Sequence, residues 1–305
     1  MKLKFLSILA LALLSLSSCE DTITDIQVAK TDNKLVVDGV INDLGGTQTI
    51  KISKSQDYTD TSNPIYVTGA SVKVTDSDGN VYLFKDAKNN GTYTFEPTAM
   101  QKIGKVGRKY TLEVQAEGET YNAQTEMKPV PKIDSLLYQF DEADGRQRAN
   151  NADLKNGYDA QFYARDFKGT IDCARVKTYK NGKLFVEPAQ ITLIYDAGLQ
   201  ISSVADGLTY ILPARRAISP EIYSEGDKIK VELYSITEEH FYFWYQVRQE
   251  LSNVGLFARP PANIPTNVKN VNANSSKKAA GWFGASAVSV METTVEKSKA
   301  RTGLK

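Results

Sequence analysis

Side chains that could act as acids, bases, nucleophiles or metal ligands are few in this chain. His240 is the only histidine among 305 residues, so a histidine-dependent triad would have to be built around it. Cys19 and Cys173 are far apart, and the sequence has no HExxH, GxSxG or GxxxxGK(S/T) motif. These patterns predict no zinc, phosphate-loop or triad chemistry, and we expect His240 to have a structural or surface role.

Paired carboxylates are the remaining route to catalysis, because a glycosidase needs only two Asp or Glu residues placed by the fold. The charged, Asn-rich segment 141–156 lacks periodicity and is predicted to be a long mobile loop. It carries the densest acidic group, which is Asp141, Glu142 and Asp144. The segment 76–79 is similar to the start of a calcium loop, but it lacks the third ligand and the distal Glu, and a hairpin turn explains it. We predict no enzyme activity, catalytic residue, metal or cofactor, and a carboxylate-dependent hydrolase remains as an alternative.

Cys19 has the most informative sequence context in the chain. Two lysines near the start, a mostly apolar run over 5–16 and two serines precede it. The run is shorter than the roughly 20 residues of a membrane-spanning helix, and the pattern is typical of a secretory signal. The Leu-Ser-Ser-Cys sequence resembles a bacterial lipobox, which implies cleavage before Cys19 and a diacylglycerol on its thiol. An ordinary signal peptide with an incidental cysteine is the alternative.

Cleavage at this site would leave a nearly neutral chain with one thiol. Residues 19–305 contain 35 basic and 36 acidic side chains, so no general positive field would attract nucleic acid. Cys173 would be unable to form an internal disulfide. It lies in the alternating segment 173–176, and we predict a buried, inert thiol there.

The N-terminal residues predict how the protein is anchored. We expect a lipoprotein signal peptide over 1–18 and a polar lipidated tether over 19–33. Glu20 and Asp21 resemble the acidic surface-export signal of Bacteroidota lipoproteins. We therefore predict that the protein is held at the outer membrane by its N-terminal lipid. Glu20 and Asp21 favour the cell-surface side of that membrane.

Two mainly β domains are predicted to follow the tether. About seven short strands alternate with turns such as Asn90-Gly91 across 34–128, which predicts an immunoglobulin-like β-sandwich. Pro129-Val130-Pro131 marks the boundary of a second mainly β domain over 129–296, and 297–305 is predicted to be a flexible tail. The predicted strands of the second domain are 133–140, 158–167, 176–185 (a hairpin around Asn181-Gly182), 191–195, 208–212, 228–235 and 281–290.

One amphipathic helix is predicted in the second domain. Ser235 or Thr237 can cap it, and the two glutamates after Thr237 suit the positive end of the helix dipole. Apolar side chains recur on one face of the helix. They are Phe241, Phe243, Trp244, Tyr245, Val247 and Leu251.

Aromatic and proline-rich segments are the candidates for contact with a ligand or partner. Trp282 lies between two glycines and can belong either to a recognition surface or to the core. The rigid segment 259–265 can dock a partner through Arg259 and Pro261, or it can serve as a connector. The ligand class stays open among small molecules, glycans and peptides.

An ordered set of motifs across nearly the whole chain resembles the Bacteroidota lipoprotein family called domain of unknown function 4249. The matching pieces are the lipobox, 35–39, 67–74, 91–93, 104–112, 121–123, the aromatic helix, 261–267 and 281–285. The resemblance implies an accessory protein of a TonB-dependent outer-membrane β-barrel transporter, and the family has no catalytic residues to carry over. A surface adhesion or envelope-assembly module is the alternative, ahead of the hydrolase.

Overall fold

The computed structural model describes residues 33–57, 60, 62–141, 156–170, 172–195, 218–255, 258–260 and 262–301. Asn33–Lys305 form one compact unit. Cys19, the signal peptide and nearly all of the predicted tether lie outside the described residues, as do the predicted strand 208–212 and most of the predicted loop 141–156. The described part of the chain is mainly β with one α-helix, which confirms the predicted fold class.

Sixteen strands are found in the described ranges. They are β1 (Leu35–Asn42), β2 (Gln48–Lys54), β3 (Ser71–Asp76), β4 (Val81–Phe84), β5 (Thr92–Phe95), β6 (Lys109–Ala116), β7 (Glu119–Glu126), β8 (Ile133–Asp141), β9 (Gly157–Ala164), β10 (Cys173–Lys180), β11 (Lys183–Leu184), β12 (Thr192–Tyr195), β13 (Lys228–Ile236), β14 (Lys269–Asn270), β15 (Ala279–Ser286) and β16 (Val288–Thr294). Helix α1 spans Glu238–Leu251, and short 3₁₀ turns cover Pro188–Gln190 and Lys297–Lys299.

The first seven strands build the predicted β-sandwich. One sheet has the order β15-β1-β2-β5 and the other has the order β14-β7-β6-β3-β4. Apolar side chains alternate with polar ones along these strands, so each sheet turns one apolar face inward. The two faces share one core, and its fully buried members include Val37, Ile50, Tyr93, Val74, Leu112 and Tyr110.

The C-terminal strands β14 and β15 return to this sandwich. Strand β15 pairs in parallel with β1, from Leu35 opposite Ala279 to Asn42 opposite Ser286. Gly281 permits the close approach, because its φ is +81° and a Cβ there would lie 2.0 Å from the Val37 carbonyl oxygen. The single strand predicted over 281–290 is wrong, since the chain leaves one sheet at Ala287 and enters another as β16.

A third sheet has the order β11-β10-β13-β16, with β12 also paired to β10. Its inner face packs on the β8–β9 hairpin around a second core that includes Phe162, Val176 and Leu233. The predicted turn at Asn181-Gly182 is confirmed, and both residues have positive φ, 52° and 80°. The tail predicted from 297 begins with the 3₁₀ turn, and the Arg301 amide donates to the Tyr138 carbonyl at 2.8 Å.

Helix α1 forms where the sequence predicted it. The Thr237 side chain caps it by accepting from the His240 amide at 3.2 Å. The buried residues of the helix are His240 and Phe241, whereas Tyr245 and Leu251 are exposed. One side of the helix packs on β10, β12, β15 and the Pro188–Gln190 turn. Among the described residues, no helix combines the length and apolarity needed to cross a membrane.

Candidate functional site

The three predicted contact residues do not come together in the structure. Trp282 on β15 is buried, with 9% of its surface exposed, and it packs against α1. Arg259 is exposed, and its backbone is held by the Asn253 amide side chain, which donates to its carbonyl at 2.8 Å and accepts from its N–H at 2.7 Å. Within the described part of the chain, Arg259 makes no hydrogen bond, ion pair or ring contact with Trp282. Pro261 lies outside the described residues.

His240 is a structural residue at the junction of α1 and β15. It is 2% exposed, and its ring stacks on Trp282 with 5.4 Å between centroids and 13° between planes. Gly284 leaves room for this ring, because a Cβ there would lie 2.6 Å from His240 Cε1. The Trp244 Nε1–H donates to His240 Nε2 at 2.9 Å, so the neutral ring carries its proton on Nδ1.

The surroundings of His240 suppress its charged form. Burial, together with the positive charges of Arg175 and Lys177, lowers the pKa of His240 to about 3. The imidazole is therefore neutral near pH 7, and its Nε2 is already occupied by Trp244. An acid–base role near neutral pH requires a group that titrates close to the working pH, which His240 does not.

Two cations next to this aromatic group occupy alternate positions on the outer face of β10. Arg175 lies opposite Tyr234 in the neighbouring strand β13, and Lys177 lies opposite Glu232. The Arg175 Cζ is 3.5 Å from the centroid of the Trp244 ring, and the Lys177 Nζ is 4.1 Å from the centroid of the Tyr234 ring. Both contacts are cation–π interactions that hold the charged groups over aromatic faces.

No carboxylate among the described residues lies within ion-pairing distance of either cation. Burial lowers the pKa of Arg175 to about 10 and that of Lys177 to about 8, and repulsion by Arg175 adds to the effect on Lys177. Glu232 attracts Lys177, and the exposed Asp38 on β1 attracts both cations, but neither carboxylate forms an ion pair with them. The pair is therefore a partly buried positive centre that the described residues do not neutralise.

Glu232, the acid opposite Lys177 on β13, is already satisfied by other donors. Its carboxylate accepts from Lys230 Nζ at 2.8 Å, and from the hydroxyls of Tyr179 and Tyr234 at 2.9 Å each. Burial opposes its ionisation, but these three donors outweigh burial and lower the pKa of Glu232. This network fixes the Tyr234 ring beneath Lys177 and leaves the Lys177 ammonium without a carboxylate contact.

The segment 76–79 is a braced hairpin, as its turn residues predicted. Asp76 is 4% exposed and its oxygens accept from the Asn80 amide at 2.9 Å, the Tyr82 hydroxyl at 2.9 Å and Arg108 Nη1 at 2.6 Å. Protein donors therefore use the oxygens that a calcium ion would need. In the described residues, no group of three or more His, Cys, Asp or Glu side chains could hold a metal ion.

A carboxylate pair that the sequence analysis missed lies between β9 and β10. Asp166 is 4% exposed, and Asp172 is partly buried beside it. Burial and the Asp166 carboxylate raise the pKa of Asp172 to about 6, against hydrogen bonds such as those from the Thr170 hydroxyl at 3.2 Å. The six-residue spacing gave no sign of this pairing, because it depends on how the loop folds back.

We expect Asp172→Asn to stabilise the fold at pH 7 by about 1–2 kcal/mol, allowing for partial exposure. The raised pKa means that the folded state binds the Asp172 proton more tightly than the unfolded chain, so wild-type stability from this group is lost as the pH rises from about 4 to about 6. Urea unfolding at pH 7 and pH 4 measures this difference, and the exposed Asp134→Asn is the control. A gain that is the same at both pH values would contradict the assignment.

The fold and the cluster together define a mainly β protein whose distinctive feature is a cation pair stacked on aromatic rings. The family model described as "Domain of unknown function (DUF4249)" matches residues 21–292 of the chain. The chain belongs to this family. A search of curated proteins finds no match.

Arg175 and Lys177 were not among the predicted site residues. The segment 173–176 was predicted as an alternating strand with a buried thiol, and Cys173 is buried. The alternation of the strand could have indicated their position, because it places residues 175 and 177 on the face opposite Ala174 and Val176. Their partners Trp244 and Tyr234 are more than fifty residues away in sequence, so the spacing could not show that these cations stack on rings.

Proposed function

We propose that this protein is a non-catalytic outer-membrane lipoprotein that binds a ligand for a TonB-dependent transporter or serves as its accessory subunit. The Leu-Ser-Ser-Cys sequence at Cys19 and the membership of the DUF4249 family support the anchoring and the accessory role. The single observation that carries the binding role is the cation pair of Arg175 and Lys177, which is held over aromatic rings without an acidic partner in the described residues. Such a pair is suited to binding a ligand, because it presents positive charge at a partly buried position.

The chemistry around this cluster supports binding over catalysis. The only imidazole of the chain is buried with its pKa lowered to about 3, and its Nε2 accepts from Trp244. Arg175 does not lose its proton near neutral pH. Lys177, whose pKa is lowered to about 8, is mostly protonated at pH 7, so both side chains present positive charge for binding.

The lipid anchor has a direct test in Cys19→Ser. We expect this substitution to abolish acylation and to move the protein from the membrane to the soluble fraction, because the thiol is the point of attachment. Membrane fractionation with mass spectrometry of the N-terminus measures both effects. Cys173→Ser, at the buried thiol, is the matched control and should remain acylated. A Cys19→Ser protein that is processed normally and stays in the membrane would contradict the proposal.

The accessory role is tested by purifying the tagged, lipidated protein in mild detergent and identifying what accompanies it. A TonB-dependent β-barrel recovered in stoichiometric amount supports the proposal. Repeated recovery of the protein alone, or with a polysaccharide or another envelope protein, contradicts it and favours the adhesion or assembly alternative.

A carboxylate-dependent hydrolase is the second candidate, and the Asp166–Asp172 pair favours it. Two neighbouring carboxyl groups of which one has a raised pKa are an arrangement that general acid catalysis uses. Glycan or peptide turnover that Asp172→Asn abolishes would support this candidate. The absence of any turnover, together with the stability gain expected of Asp172→Asn, would make the pair structural.

A further inference from the structure

We propose that Arg175 and Lys177 form a binding site for an oxyanion, either a carboxylate or a phosphate group of the ligand, on the outer face of β10. This inference deepens the proposed function by naming the chemistry that the ligand must carry. It depends on the described side chains around the two cations, and single substitutions can change Arg175 and Lys177 one at a time.

The geometry suits one anion held by two cations. Arg175 and Lys177 are two residues apart on one strand face, which places their backbone positions about 7 Å apart. Their long side chains can converge on a single group over that span. The Arg175 guanidinium lies over Trp244 with 3.5 Å between Cζ and the ring centroid, so one face is covered. Its N–H groups donate to no acceptor among the described residues. The planar edge of a guanidinium matches the two oxygens of a carboxylate or phosphate.

The charges around the site leave it positive. Glu232 is occupied by Lys230, Tyr179 and Tyr234. The exposed Asp38 acts only at longer range, and His240 on α1 is neutral. An oxyanion would therefore relieve the repulsion between two cations that burial and mutual charge already destabilise.

Two buried N–H groups in the packing of α1 on β15 find no acceptor among the described residues. Trp282 Nε1 and His240 Nδ1 find no hydrogen-bond partner among the described residues, although both side chains are more than nine-tenths buried. The two rings stack on each other, and His240 is close enough to feel the charges of Arg175 and Lys177. Such buried donors are rare in folded proteins. His240 Nδ1 faces β15, since a Cβ on Gly284 would lie 2.9 Å from it, so the proposed oxyanion contacts are those of Arg175 and Lys177.

Titration with small sugars of different charge tests the site in the mature, full-length chain. The probes are glucuronate for the carboxylate, glucose 6-phosphate for the phosphate and glucose as the neutral reference, at pH 7 and constant ionic strength. Trp244 and Trp282 are the only tryptophans, so their fluorescence reports on the site, and calorimetry gives the affinity. We expect at least one anionic probe to saturate the signal while glucose leaves it unchanged, and the preferred probe identifies the oxyanion.

Single substitutions separate the site from general charge effects. Arg175→Gln and Lys177→Gln should each weaken binding at least tenfold, and Arg175→Lys should weaken it less because it keeps the charge and loses the planar fork. Lys73→Gln is the matched control, since Lys73 on β3 of the sandwich is paired with Glu113 at 3.0 Å, in a different sheet from β10. Failure of both anions to saturate, or an equal loss in Lys73→Gln, would overturn the proposal.

The same variants should fold, and this gives a second readout. Arg175 and Lys177 repel each other and form no ion pair with a described residue. Lys177→Gln removes this repulsion, so it should melt at the same temperature as the wild type or higher while it loses binding. A lower melting temperature together with unchanged binding would assign the pair a purely structural role. The transporter pull-down is independent of this outcome, so the anion site and the accessory role can fail separately.

Discussion

Asp76→Ala should lower the free energy of unfolding by about 3–5 kcal/mol, the range expected when one partner of a buried ion pair is removed. The Asp76 side chain is fully buried and accepts from Arg108 Nη1 at 2.6 Å and from the Tyr82 hydroxyl at 2.9 Å. Its loss leaves the guanidinium of Arg108 without its buried partner and removes the brace of the β3–β4 hairpin. Urea unfolding followed by circular dichroism measures the change.

Asp78→Ala is the matched control, because Asp78 pairs with the same Arg108 but is half exposed. It should cost less than about 1 kcal/mol, as surface ion pairs do. The two variants should also differ with pH. Hydrogen bonds and Arg108 outweigh burial and hold the pKa of Asp76 below its ordinary value of 3.8, so its stabilisation is present above that pH and is lost as the pH falls through the folded-state value. Equal losses in both variants would contradict the bracing role.

Gly281→Ala should destabilise the protein by at least about 3 kcal/mol, since a positive φ alone costs a residue with a side chain about 1–2 kcal/mol and a backbone clash adds to it. The new Cβ would lie 2.0 Å from the Val37 carbonyl oxygen, which belongs to the backbone of β1 and cannot move aside. We expect β15 to separate from β1 and the Trp282–His240 stack to loosen. Thermal unfolding and tryptophan fluorescence measure the two effects.

Gly226→Ala separates the two contributions. Gly226 has a φ of +89°, but nothing lies within 4 Å of where its Cβ would be. It should therefore show the conformational cost of about 1–2 kcal/mol without the clash. An equal loss of stability in both glycine variants would contradict this explanation, because it would show that the close approach of β15 to β1 does not require a glycine at position 281.

Local patterns in the sequence predicted the local structure. Asn181-Gly182 identified a hairpin turn, because both residues tolerate positive φ. Thr237 and the following acids located the start of α1. The seven alternating strands of the first region gave the sandwich, since alternation directly reports one buried face.

Long-range pairing was not predictable from these patterns. The sequence 281–290 has the composition of one strand, yet β15 joins the β15-β1-β2-β5 sheet of the sandwich and β16 joins the β11-β10-β13-β16 sheet. That outcome depends on contacts across more than 200 residues, such as Gly281 against Val37. Trp282 was foreseen either in a recognition surface or in the core, and the structure buries it against His240.

The cation pair was missed for a related reason. A strand that alternates Arg and Lys with apolar residues normally indicates a solvated face. In the structure, Trp244 of α1 partly covers Arg175. The carboxylate of Glu232, which lies opposite Lys177, is bonded to Lys230 instead. Only the assembled sheet and helix reveal that these charges have no acidic partner in the described part of the chain.

Purification of the lipidated protein in mild detergent, followed by mass spectrometry of the recovered complex, tests the proposed function most directly. We expect a TonB-dependent β-barrel in stoichiometric amount with the wild-type protein. The barrel should also be recovered with the Lys73→Gln control, which leaves the anchor and the site intact. Repeated recovery of the lipidated protein without any barrel would contradict an accessory role in transport.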